Sequence, residues 1–69
     1  SIMAFIMNWW CRCMCLGETY IKGPFASEND AKKAADRFVI EGLWVGTSNG
    51  NITTRVPPQQ VDKIEVFSE

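Results

Sequence analysis

Three cysteines at alternate positions, Cys11, Cys13 and Cys15, are the residues most suggestive of chemistry. On a β-strand, alternate side chains point to the same face, and three thiolates could there hold zinc or copper with a fourth ligand from a partner chain. The spacing argues against this, since zinc sites favour the bent Cys-x-x-Cys loop, and Cα atoms two residues apart on a strand are separated by about 6.6 Å, near the upper limit for a disulfide. Because free cysteine behaves as a small hydrophobe, we expect buried structural thiols and no cofactor. A metal site and redox or nucleophilic use remain the alternatives.

Trp44 and Arg55 form the second candidate site. An exposed Trp beside an Arg is typical of interface hot spots and of surfaces on which bases stack, whereas the alternative is an intramolecular cation–π pair. We expect Trp44 and Arg55 to bind a protein partner or a second subunit. Trp9 and Trp10 cannot face the same core from one strand, so we assign Trp10 to this surface. Ile40 joins it from the helix side that is predicted to be exposed.

The basic residues of the predicted helix suggest nucleic-acid binding as an alternative, through Lys32, Lys33 and Arg37 together with Arg55. The chain carries seven basic and eight acidic residues, for a net charge of −1. Binding to a phosphate backbone usually requires a clear positive excess. We therefore interpret these charges as a solvated helix face, with Glu28 and Lys32 paired one turn apart, and nucleic acid as a disfavoured partner.

The chain contains no histidine. The commonest general base at neutral pH and the commonest nitrogen ligand for metals are therefore missing, which excludes histidine-based triads and Cys/His zinc fingers. No arrangement of cysteine, carboxylate or lysine singles out a catalytic site. We expect a protein that is not an enzyme.

The segment from Lys22 to Val45 predicts a strand end, a capped helix and a strand start. Ser27 is placed to cap the helix, and Asp30 three residues later completes a capping-box variant. Gly42 supplies the residue that ends the helix. The predicted buried stripe consists of Ala31, Ala34, Ala35, Phe38 and Val39.

The residues from Tyr20 to Ser27, YIKGPFAS, with alanines at positions 31 and 34, resemble the second strand-to-helix segment of SPOR domains. That family binds peptidoglycan glycan strands. The resemblance covers about a third of the chain and implies a shared local strand-to-helix geometry. The family's preceding strand-helix half has no counterpart here, and no binding residues are carried over.

Two β-hairpins flank the helix. The first joins a strand from Trp9 to Leu16, by a type II′ turn at Gly17-Glu18, to a strand from Thr19 to Gly23 that is stopped by Gly23-Pro24. In the second, Asn49-Gly50 predicts a two-residue type I′ turn that places Ser48 opposite Asn51.

This second register places Trp44 opposite Arg55. Its inward face would consist of Leu43, Val45, Thr47, Ile52, Thr54 and Val56. Pro57-Pro58 ends the hairpin because neither proline can donate to a ladder, and a last strand follows from Lys63 to Phe67 with Ile64 and Val66 inward.

These elements predict a single α+β domain over residues 1–69 in the order ββαβββ. One helix would pack on one face of an antiparallel or mixed sheet of about five strands. We interpret residues 1–7 as a candidate non-native or disordered extension. The apolar start is shorter than the roughly 20 residues of a membrane span, so we expect no membrane association.

A domain of 69 residues gains only about 3 to 5 kcal/mol from its core, whereas 46% of this chain is hydrophobic, including eight aromatic residues. We therefore expect a homo-oligomer, a dimer or higher, that associates through the uncovered sheet face. The odd number of cysteines favours a reducing compartment, the cytoplasm. The small size of the chain is typical of bacterial or phage proteins.

Overall fold

The computed structural model describes residues 7–47 and 49–69. Its elements in chain order are β1 (Trp9–Cys15), β2 (Glu18–Phe25), α1 (Glu28–Glu41), β3 (Leu43–Gly46), β4 (Thr53–Val56), a short 3₁₀ turn (Pro58–Gln60) and β5 (Val61–Ser68). The predicted α+β class and the order ββαβββ are confirmed. Among the described residues no helix is long and apolar enough to cross a membrane. The expectation for residues 1–7 lies, apart from Met7, outside the described residues.

The five described strands form two antiparallel sheets, rather than the single sheet expected. The larger has the order β2-β1-β5, so the first strand lies between its two neighbours, and the smaller is the β3-β4 hairpin. Helix α1 contacts all three strands of the larger sheet. The buried core consists of Cys11, Cys13, Cys15, Ala31, Leu43, Val45 and Val56.

The first hairpin turns one residue earlier than predicted. Leu16 and Gly17 both adopt left-handed backbone, with φ of 56° and 72°, and Cys15 pairs with Glu18. Positive φ at both central residues is typical of a type I′ turn, which matches the twist of the flanking strands, as the predicted type II′ turn would. Leu16 occupies this turn position with its side chain exposed.

Strand β2 continues through Gly23-Pro24, so the prediction that this pair ends the strand is wrong. Cys11 pairs with Lys22 whereas Trp9 pairs with Phe25, which leaves one extra residue in β2 as a bulge. A bulge on an edge strand tolerates a proline, because the ladder is already interrupted there.

Helix α1 begins and ends at the predicted residues. The Asp30 amide donates to the Ser27 hydroxyl at 3.1 Å, and the amide of Gly42, at φ 84°, donates to the Phe38 carbonyl. The alanines and Phe38 face the core as predicted, but Val39 is 53% exposed. At about 100° per residue, position 39 lies at the margin of the stripe that starts at Ala31, which explains why it remains in solvent.

The second hairpin has the predicted register, with Trp44 opposite Arg55 and Leu43 opposite Val56. Leu43, Val45 and Val56 are buried as predicted. Thr54 is exposed, and Ile52 is 59% exposed, so their predicted inward placement is wrong. Ile52 lies in the loop, beyond the buried part of the hairpin, whereas Thr54 lies opposite buried Val45 and is exposed on the other strand.

The loop of this hairpin is longer than the predicted type I′ turn. The Thr47 amide donates to Ile52, the amide of Gly50 donates back to Thr47, and of the central pair only Gly50 has positive φ. The Asn49 carboxamide oxygen instead accepts hydrogen bonds from the Thr47 hydroxyl at 2.6 Å and from the Asn51 amide at 3.1 Å. These side-chain bonds stabilise the wider loop. Ser48, predicted to face Asn51, lies outside the described residues.

The last strand, β5, is longer than predicted and completes the larger sheet against β1. Strand β4 ends before Pro57, as predicted, and the 3₁₀ turn leads into β5. Ile64 and Val66 pack against the core, in agreement with their predicted inward placement. Asn8 and Glu69 exchange backbone hydrogen bonds at the end of the same sheet.

Candidate functional site

The three cysteines lie on one face of β1, buried beneath the helix, and all three are free. The Cys11 thiol donates a hydrogen bond to the Ala31 carbonyl at 3.2 Å. Burial raises the pKa of all three thiols, that of Cys13 to about 11, with a smaller contribution from neighbouring Cys11. A buried thiol that keeps its proton is a weak nucleophile and a poor metal ligand.

The described residues contain no group of three or more cysteine, histidine or carboxylate side chains placed to hold a metal ion. The geometry therefore gives no support to the alternative in which Cys11, Cys13 and Cys15 form a metal site. The three cysteines belong to the cluster of buried residues that forms the core, which agrees with their interpretation as structural cysteines.

A pocket of about 650 Å³ opens where the end of helix α1 meets strand β2 and the β3-β4 hairpin. We call it the Trp44 pocket. The lining side chains that carry its chemistry are Lys22, Arg37, Phe38, Glu41, Trp44 and Arg55. Its size is within the usual range of ligand-binding clefts, so it can accept a small group or a few residues of a partner.

Two of the cations in the Trp44 pocket are anchored to backbone carbonyls. The Lys22 ammonium donates to the carbonyl of Trp44, and the Arg55 guanidinium donates to the carbonyl of Glu41 at 2.5 Å. The Glu41 carbonyl belongs to the last turn of the helix, whose carbonyls lack helical partners. Each cation therefore joins the hairpin to another element and is held in a fixed place at the pocket rim.

The charge of the pocket is opposite in sign to that of the chain. Lys22, Arg37 and Arg55 contribute three positive charges and Glu41 one negative charge, which leaves a net of +2 in a chain of net −1. Arg37 contacts Glu41 at 3.3 Å, across one turn of the exposed helix face. Phe38 and Trp44 supply apolar surface beside these charges, and Trp44 is 59% exposed. The arrangement suits a ligand that carries a negative charge next to an apolar group.

The pocket brings together some of the predicted site residues and not others. Trp44, Arg55 and Arg37 all line it, although the sequence suggested them for different functions. Lys22 and Glu41 were not predicted as site residues. The only sequence signal for Glu41 is its position four residues after Arg37, and Lys22 gave none, since its role depends on a contact across two elements.

Trp44 and Arg55 are neighbours across the hairpin, but the described residues show no cation–π contact between these two side chains. The cation–π contact found there is between Arg12 and the ring of Phe67, at 4.4 Å. Arg55 uses its guanidinium on the helix end instead, which leaves the indole of Trp44 available at the surface.

The remaining predicted residues lie outside the pocket. Ile40 is 73% exposed on the helix and does not line it. Lys32 pairs with Glu28 at 2.7 Å, and neither Lys32 nor Lys33 lines the pocket. The basic patch of the nucleic-acid alternative is therefore not assembled as one surface with Arg55.

Trp10 lies on the side of the larger sheet that faces away from the helix. Because residues that pair across strands share a face, this side can be followed through the register. We call it the open face. Its apolar members are Trp10, Met14, Ile21 and Phe67, and its polar members are Arg12, Thr19, Lys63 and Glu65.

Arg12 lies at the centre of the open face. Its guanidinium is over Phe67 and 3.3 Å from the Glu65 carboxylate, so the charge is paired within the chain. The indole of Trp10 donates to the Glu69 carbonyl at 3.4 Å and covers Gly23, where an added methyl would lie 2.9 Å from the ring. The open face therefore has four apolar side chains beside a polar group, in which Arg12 and Lys63 both lie near the Glu65 carboxylate.

Comparison with known proteins gives no relative for this chain. No protein-family model, no curated protein and no solved structure matches it. The SPOR resemblance stays a likeness of one short segment, and the function has to be argued from the two surfaces described above.

Proposed function

We propose that this protein is a non-enzymatic interaction module that homo-oligomerises and binds a protein partner at the Trp44 pocket. The observation that carries the proposal is an exposed Trp44 beside an anchored Arg55 in a formed pocket. Trp and Arg are the residues most enriched among binding hot spots, and a side chain already fixed in place loses little entropy on binding.

Self-association is supported by the open face. Trp10, Met14, Ile21 and Phe67 present apolar side chains on one side of a sheet that the single helix does not cover. The buried core contains only seven side chains in the described part of the chain, four of which are no larger than cysteine. Covering the open face with a second copy would add the apolar burial that such a small core lacks.

A non-enzymatic role is supported by the lack of histidine as a general base and by the protonated state of the thiols. The chain has no histidine, and burial raises the pKa of every thiol. Free buried cysteines are consistent with our proposal of a reducing compartment, the cytoplasm. The bacterial or phage origin that we propose depends only on the small size of the chain.

The partner-binding proposal can be tested with a random peptide library displayed on phage and selected on the purified protein. Selected peptides are then measured against the wild type, Trp44→Ala and Ile52→Ala. Ile52 is the matched control, since it lies on the same hairpin and is also 59% exposed. We expect Trp44→Ala to weaken binding at least about tenfold, as for a hot spot, and Ile52→Ala to leave it unchanged. Peptides that bind Trp44→Ala as well as the wild type would refute the proposal.

A further inference from the structure

We infer that the Trp44 pocket recognises a carboxylate adjacent to an apolar side chain, in an acidic peptide segment of the partner. This inference rests on the proposed function and deepens it by naming the chemistry of the bound segment. It follows from the charges of the pocket, the anchoring of its cations and the apolar surface beside them.

The anchored cations retain donors for a ligand. A guanidinium has five N–H groups and an ammonium has three, so Arg55 and Lys22 each keep free donors after bonding their backbone carbonyls. Arg37 adds a third cation, but its contact with Glu41 is an exposed pair at 3.3 Å that a ligand carboxylate can replace. A carboxylate entering the pocket therefore meets donors that are already positioned, which lowers the entropic cost of binding.

The apolar wall determines what must accompany the carboxylate. Phe38 and Trp44 line the same pocket as the three cations, so an apolar side chain beside the acidic group would bury surface against them. A bare anion would gain only the charge contacts. An acidic residue next to an aromatic or aliphatic residue uses both parts of the pocket.

A nucleic acid fits this site less well than an acidic peptide. Its repeated phosphates require a track of cations, whereas the cations here converge on one pocket that also contains the Glu41 carboxylate. Lys32 and Lys33, which could extend such a track along the helix, do not line the pocket. A single carboxylate needs no more positive charge than the pocket provides.

The test uses three blocked hexapeptides that differ at the central pair: Ser-Gly-Asp-Phe-Gly-Ser, its Asn-Phe analogue and its Asp-Ala analogue. Binding is followed by NMR through the indole N–H of Trp44, assigned by its loss in Trp44→Ala. We expect the Asp-Phe peptide to bind, and each analogue to bind roughly fivefold or more weakly. Equal binding of the Asp-Phe and Asn-Phe peptides, or binding of neither, would overturn the inference.

Two variants with opposite expected effects guard against loss of fold. Glu41→Gln keeps the backbone carbonyl that Arg55 uses but removes the competing carboxylate, so the Asp-Phe peptide should bind roughly two- to fivefold more tightly. Arg37→Gln should weaken binding by a similar factor. Lys63→Gln, an equal change of charge outside the pocket, should have no effect. If Glu41→Gln binds no more tightly than wild type, the charge argument fails.

A further arm uses oligo-dT under the same conditions. If oligo-dT shifts the Trp44 indole at lower concentration than the Asp-Phe peptide, the inference is overturned in favour of nucleic acid. The two proposals fail separately. Trp44-dependent binding of library peptides that carry no carboxylate would leave the partner-binding function in place and remove only the carboxylate inference.

Discussion

The α-carbon of Gly42 packs so closely against strand β4 that a methyl group added there would lie 2.3 Å from the carbonyl oxygen of Val56. The end of the helix and the end of the hairpin are thereby fixed against each other through backbone atoms. This contact brings the Glu41 carbonyl within reach of Arg55 and so defines one wall of the Trp44 pocket.

We expect Gly42→Ala to be strongly destabilising, because the backbone oxygen of Val56 cannot move aside as a flexible side chain would, and because Gly42, at φ 84° and ψ −174°, has a conformation that is essentially restricted to glycine. Gly50→Ala is the matched control, since Gly50 also has positive φ but no atom within 4 Å of the added methyl. Gly50→Ala should cost about 1 kcal/mol from backbone strain alone, and Gly42→Ala at least about 2 kcal/mol more. Chemical denaturation measures both, and equal losses would show that the close contact is not maintained.

We expect Ile21→Lys to abolish self-association without unfolding the protein, because Ile21 is half exposed on the open face, on edge strand β2 next to Arg12. A charge placed on an apolar interface has to be desolvated when two copies meet. Ile52→Lys introduces the same charge on the hairpin and should leave assembly unchanged. Sedimentation equilibrium of the three proteins is the measurement, and an unchanged mass for Ile21→Lys would exclude the open face as the interface.

The buried thiols predict a loss of stability at alkaline pH. The pKa of Cys13 is raised from 9.0 to about 11, so the unfolded state loses this proton first as the pH rises. The contribution is fully present below about pH 9 and is lost as the pH rises towards 11. Other groups titrate in the same range, so the relevant quantity is the difference between the wild type and Cys13→Ala. Thermal denaturation between pH 8 and 11 should show a steeper decline for the wild type, and parallel curves would contradict the prediction.

The packing of the helix on the sheet can be tested at Ala31, which is completely buried and whose carbonyl accepts from the Cys11 thiol. Ala31→Leu adds three carbon atoms where helix and strand are in contact, and we expect a loss of about 1 to 3 kcal/mol or more. Ala26→Leu, just before the helix at an exposed position, should change stability by less than about 0.5 kcal/mol. Denaturant unfolding would decide between them.

The sequence predicted well those features that depend on neighbouring residues. The cap at Ser27 and the helix end at Gly42 follow from local hydrogen bonding, and the register that pairs Trp44 with Arg55 was predicted from the position of Asn49-Gly50. The turns were less well predicted, because Asn49 uses its side chain to stabilise a loop wider than the type I′ turn.

The division into two sheets was not predictable in the same way. Which strands pair across long stretches of chain depends on the packing of the whole domain, and no local pattern in β2 or β3 specifies it. The same reason explains the missed site residues. The Lys22 ammonium bonds the distant Trp44 carbonyl and the Glu41 carbonyl accepts from the distant Arg55, and neither contact leaves a spacing pattern in the sequence.

The position of β1 between β2 and β5 has a consequence for folding. The β1-β2 hairpin needs only a short turn, whereas the β1-β5 pairing joins the first described strand to the last. Closing the long loop between β1 and β5 is entropically costly, and this cost slows the pairing of the two strands. During synthesis, the middle strand of the sheet would keep one unsatisfied edge until Val61–Ser68 leaves the ribosome. Completion of the cysteine-lined core therefore waits for β5, and the chain is most vulnerable to mispairing at the free edge of β1 just before this strand joins the sheet.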